Sequence, residues 1–147
     1  MSYQFREQIT INGQLYETQS EPLKNYEDEV REKLGVKKGG LTALWRDYVG
    51  HWEVDFGRLF LKKIQIPNET GETMLKEVSL HPLFGTDERI FAHWFSGKIM
   101  IPKGKVIMSY FHEDIYATNS YYIFTNGIMT DHYDDDNTNK KWEPEPF

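Results

Sequence analysis

Two Asn-Gly pairs constrain this chain more than any other feature. QITINGQLY centres on Asn12-Gly13, and Asn126-Gly127 stands between YYIFT and IMTDHY. Asn and Gly both tolerate φ > 0, which a two-residue hairpin turn with the right-handed twist of its strands requires. Apolar and polar residues alternate on either side of each pair, as in half-buried strands. Strands are therefore expected over 3–11 and 14–18, and again over 115–125 and 128–133.

Between these hairpins lie two more strand-rich blocks. In 41–66, Leu44, Tyr48, Trp52 and Val54 share one alternating face, and Asp55-Phe56-Gly57 turns the chain back. The second block, RIFAHWFSGKIMIPKGKVIMSYFH, covers 89–112 without an acidic residue. Ser96-Gly97 and Pro102-Lys103-Gly104 divide it, which predicts two or three strands folded back on one another, with Gly104 at φ > 0. Ile90 to Phe95 is apolar on both faces and predicts a mid-sheet strand. A weaker alternation over 73–80 allows one more strand, and 81–88 reads as irregular. A short helix or an ordered loop is expected where Leu23, Tyr26, Val30 and Leu34 fall at helical spacing and Gly35 stands ready to stop a helix. Residues 37–40 read as a connector.

Eight to ten strands joined by hairpins give an all-β expectation: an antiparallel meander closing into a barrel or a two-sheet sandwich. The 147 residues suit a single β-rich domain over 1–133, with an acidic, mobile tail over 134–147. Six acidic residues against two lysines give 131–147 four of the six net negative charges, so no broad basic face remains for nucleic acid. With no Cys, thiolate catalysis and Cys-ligated zinc are excluded. No long apolar run predicts a signal peptide or membrane span, and the expected location is cytoplasmic.

LWRDYVGHWEVDFGRLFLKKI, followed about thirty residues on by FAHWFSGKIMIPKGKV, resembles a family of small uncharacterised bacterial proteins with a W-F-S-G…I-P-x-G segment. Asp47 and His51 depart from the pattern, at positions where small or neutral residues are expected. The resemblance covers roughly 41–110 and implies a bacterial origin and one compact domain. It assigns no activity, cofactor or site residue.

Local chemistry is sparse. His51 and Glu53, two apart on a strand, share a face, and a barrel could gather His93, His112 and His132. The spacing matches no zinc signature, so neither a metal nor a cofactor is expected. Counting DHYDDD as a calcium loop from Asp134 puts Asn139 where glycine is required. There is no G-x-S-x-G, S-x-x-K or phosphate-binding loop. Lys98 to Lys105, with Trp94, Phe95, Tyr110 and Phe111, has the layout of a single-strand binder, but edge-strand protection by lysine explains it too. The expected function is a binding or interaction module for a small molecule or a protein, in one version an acidic inhibitor or immunity-type protein. A small enzyme with a His/carboxylate site is the alternative. Binding is expected to use His51, Trp52, His93, Trp94, Tyr110 and His112.

Overall fold

The computed structural model describes residues 5–36, 47–68, 73–110 and 113–140. Both Asn-Gly turns form. β1 (Glu7–Ile11) and β2 (Gln14–Thr18) pair across Asn12 and Gly13, whose φ angles are 52° and 77°. The other Asn-Gly pair, at φ 50° and 80°, joins β8 (Glu113–Thr125) to β9 (Ile128–Asp136). β3 (Val49–Asp55) and β4 (Arg58–Pro67) meet at a third turn of the same geometry, Phe56-Gly57. The remaining strands are β5 (Leu75–Val78), β6 (Ile90–Phe91) and β7 (Gly97–Tyr110).

The helical spacing is also realised. A turn of 3₁₀ helix over Lys24–Tyr26 leads into α1 (Glu27–Lys33). Glu27, Asp28 and Glu29 occupy its first turn and Arg31 and Lys33 its last, each sign at the end where the helix dipole favours it. Gly35, at φ 66°, follows the helix. Leu23 and Val30 are buried, with Tyr26 and Leu34 packed against the same core. The segment expected to be irregular contains one further turn of helix, α2 (His81–Phe84). Asp87 organises it, accepting hydrogen bonds from Ser79 Oγ at 2.5 Å and Leu80 N at 2.9 Å.

The expected antiparallel barrel or sandwich is corrected to one open, mixed sheet of nine strands, β2-β1-β3-β4-β9-β8-β7, with β5 and β6 also pairing β4. β1 runs parallel to β3, Ile9 opposite Trp52 and Ile11 opposite Val54. A parallel neighbour needs a crossover, and the helical segment after β2 lies within that connection. Closure fails because β9 meets β4 only at Arg58↔Ile128 and the end strands β2 and β7 share no ladder. Side chains bridge that seam instead: Thr18 Oγ1 donates to Met100 O (2.6 Å), and Ser20 Oγ accepts from Met100 N (3.1 Å).

Two expectations within 89–112 are corrected as well. Pro102-Lys103-Gly104 makes no turn: β7 runs through it as one strand, with Pro102 opposite Asn119. An edge strand tolerates proline because one side of its backbone needs no ladder partner. Gly104 does take φ 82°, next to a register shift between Lys103 and Val106. Ile90 to Phe95 is no mid-sheet strand. It is extended only at Ile90 and Phe91, after which His93 and Trp94 turn.

Ile9, Trp52, Leu59, Leu61, Ile64, Ile99, Ile101 and Phe124, all at most 1% exposed, belong to one buried core cluster contributed by strands β1, β3, β4, β7 and β8. β9 continues to Asp136, into the segment expected to be tail. Asn137 beyond it is buried, its Nδ2 donating to Tyr116 O and its N to Ala117 O, both at 2.9 Å. Tyr3, the connector 37–40, Leu44, Phe111, His112, Trp142 and Phe147 lie outside the described residues.

Candidate functional site

The parallel pairing of β1 with β3 decides where a site can be. It brings the Asn12-Gly13 and Phe56-Gly57 turns to the same end of the sheet. β9 is tied to that end by Leu59 N→Gly127 O (2.9 Å) and Met129 N→Gly57 O (2.7 Å), then runs on past it. A cleft of about 520 Å³ lies between the two tips and the β8–β9 hairpin. Its walls include Ile11, Val54, Tyr122, Met129 and His132, and its lips are Asn12-Gly13 and Asp55-Phe56-Gly57.

Phe56 is the unusual lip residue. Its side chain is 98% exposed and its φ is 49°. The two equivalent turns carry asparagine there, because a bulky side chain crowds the backbone at φ > 0. Ile128, 47% exposed, follows the neighbouring turn. Arg89 donates to two lining residues of the cleft, Glu53 (2.7 Å) and Asp55 (2.9 Å), and lies 3.9 Å from the centre of the Phe60 ring. These hydrogen bonds, that to Asp55 first, raise its already high pKa.

On the β9 side, His132 stacks on Tyr122 at 4.2 Å, the two rings nearly parallel. Lys103 donates to the Tyr122 hydroxyl at 2.9 Å and sits 4.9 Å from the centre of the Tyr16 ring. Asp134 accepts from Ser120 Oγ at 2.6 Å and lies 3.4 Å from His132 Nε2. The Ser120 hydroxyl, then His132 and Lys103, hold the Asp134 carboxyl below the usual carboxylate range. In nucleophilic catalysis a base faces the hydroxyl and a carboxylate orients the base. Here the carboxylate stands between serine and histidine, and Ser120 is fully buried. This geometry joins strands and does not activate the hydroxyl.

Among the described residues, those expected to bind are dispersed except for a group around Trp94, which Trp52 and His93 both meet. Trp52 is buried, its Nε1 donating to Glu7 Oε1 at 3.1 Å. Trp94 is half-buried and 6.4 Å from Trp52, ring to ring. His93 is exposed, edge-on to Trp94 at 5.4 Å. Tyr110 ends β7 opposite Glu113. His51 occupies the other face of β3 from Trp52, its Nε2 2.5 Å from Gln65 Oε1. Among the described residues, no three of His, Asp and Glu are grouped to hold a metal ion. Phe56, Tyr122 and Met129 are not expected from the sequence to bind, and His132 is considered there only as a metal ligand beside His93 and His112. The signal for Phe56 was present: a phenylalanine where the other turns have asparagine.

His51 yields a pH prediction. Burial lowers its pKa from 6.5, Lys63 adds to the effect, and the Gln65 hydrogen bond opposes it. Below 6.5 the unfolded chain then binds the proton better than the folded one, so stability falls as pH drops through 6.5 toward the folded value. Asp87, Asp134 and Asp136, all lowered from 3.8, lose their contributions only in more acid solution. Urea unfolding from neutral pH to about 5 is expected to show a shallower pH slope for His51→Phe than for the wild type. Equal slopes would mean that the imidazole titrates alike in both states.

Comparison with protein-family profiles, curated proteins and solved structures finds no match.

Proposed function

We propose that this chain is a non-catalytic interaction protein of the acidic inhibitor or immunity type, which engages a basic protein partner through the hairpin-tip cleft. The observation that carries the reading is Phe56, an almost fully exposed aromatic held at φ 49°. Exposed aromatics beside a cleft are the side chains that anchor protein interfaces. The chain's net charge of −6 would speed encounter with a basic surface. A ligand-holding barrel has less support, because Trp52, Tyr48 and Phe124 fill the interior and the volume lies at an open edge.

Phe56→Asn separates binding from folding. Asparagine relieves the left-handed strain, so the variant is expected to be more stable by about 1 kcal/mol. A photo-crosslinking amino acid at position 56 would identify the partner, and affinity would then be measured with both purified proteins. Loss of an anchor should weaken binding at least tenfold, a difference of about 1.4 kcal/mol or more. Unchanged affinity for the crosslinked protein would remove Phe56 as the anchor and this reading with it.

A further inference from the structure

The same dipeptide in the same turn meets opposite surroundings at the two ends of this chain. At Asn126-Gly127, Gly127 N donates to Phe95 O at 2.8 Å and Asn126 N to Ser96 Oγ at 2.9 Å. Gly127 is buried, and a Cβ added there would lie 2.5 Å from Ala92 O. At Asn12-Gly13 both residues are exposed, and a Cβ added to Gly13 would meet nothing within 4 Å. Among the described residues, no acceptor engages Gly13 N.

We infer that Asn12 is a site of spontaneous deamidation and isoaspartate formation, and that the fold protects Asn126 from the same reaction. The Gly13 nitrogen, on losing its proton, attacks Asn12 Cγ. The new C–N bond closes a cyclic imide, and the side-chain amide leaves as ammonia after taking up a proton. Water then opens the imide at either carbonyl, giving aspartate or isoaspartate. No oxidant or cofactor takes part. The attack needs a free backbone nitrogen and a turn that can rotate. At the exposed β1–β2 tip the nitrogen is unengaged among the described residues and no neighbour crowds the turn, whereas at Gly127 a hydrogen bond and the backbone of Ala92 must first give way. Either product adds a negative charge to the cleft lip beside Asp55. Isoaspartate also inserts a backbone carbon into a turn whose two-residue length sets the β1–β2 register.

The test incubates the full chain at mildly alkaline pH, folded and in urea, and follows both sites by peptide mapping with methyltransferase labelling of isoaspartate. In urea the two sites should convert at similar rates, since their local sequences share Asn-Gly. In the folded chain Asn12 should convert roughly tenfold faster than Asn126 or more, the protection coming from hydrogen bonds that must open. Similar rates in the folded chain, or faster conversion at Asn126, would overturn the inference. So would a folded chain in which Asn12 stays intact while the urea sample converts.

Discussion

Gly50→Ala is expected to destabilise the protein by about 3 kcal/mol, from overpacking a close-packed interior and unmaking buried hydrogen bonds. Glu7 is 1% exposed. Its Oε2 accepts from Gly50 N at 2.5 Å and its Oε1 from Trp52 Nε1 at 3.1 Å, so the carboxyl lies across the β1–β3 interface against the glycine. A methyl on Gly50 would sit 2.5 Å from Glu7 Oε1 and 2.7 Å from Trp52 Nε1, and both atoms belong to buried groups with little room to yield. The carboxylate must then leave its donors or the two strands must part, and either leaves buried polar atoms unsatisfied. Urea denaturation measures the loss, and Glu7→Ala in the same background tests its cause. If steric conflict at the carboxylate dominates, the double variant will be more stable than the sum of the single losses predicts. Strict additivity would show that Gly50 and Glu7 act separately.

Trp94→Ala is expected to cost about 3 kcal/mol, the lower end for truncating a large buried ring, because Trp94 is only half-buried. The indole is a junction. It stacks on Phe84 of α2 at 5.6 Å, meets Tyr26 edge-on at 4.9 Å, and donates from Nε1 to Pro22 O at 2.8 Å. Removing it takes away one contact from each helical segment, while Leu23, Val30 and Leu80 still anchor them to the core. Trp94→Phe keeps an aromatic ring but loses the donor, so it should recover most of the loss and leave about 1 kcal/mol for the hydrogen bond. Thermal unfolding would show this order. A native melting temperature for Trp94→Ala, with binding lost, would instead make Trp94 an interface residue.

The sequence alone determined what depends on neighbours a few residues apart. Asn12-Gly13 and Asn126-Gly127 turn the chain because φ > 0 is a local demand that their own residues meet. The α1 stripe and its stop at Gly35 follow from helical spacing in the same way. The all-β class, with nine strands among the described residues, rests on such local signals. Tertiary structure decided which strands pair and where they end. Nothing local in β1 or β3 states that they will lie parallel, since that depends on how the intervening helical segment packs. Pro102 and Gly104 carry the marks of a turn, yet they sit in an unbroken strand because β7 is an edge. The candidate site was legible only in part: the Phe56-Gly57 turn could be read, its place beside Asn12-Gly13 could not. Strand alternation correctly separates His51 from Trp52 by face, but whether a face meets core or solvent depends on the layers around it. The cleft exists because two distant turns share one end of the sheet while β9 diverges from β4, and such non-local pairing leaves no mark in any short stretch of residues.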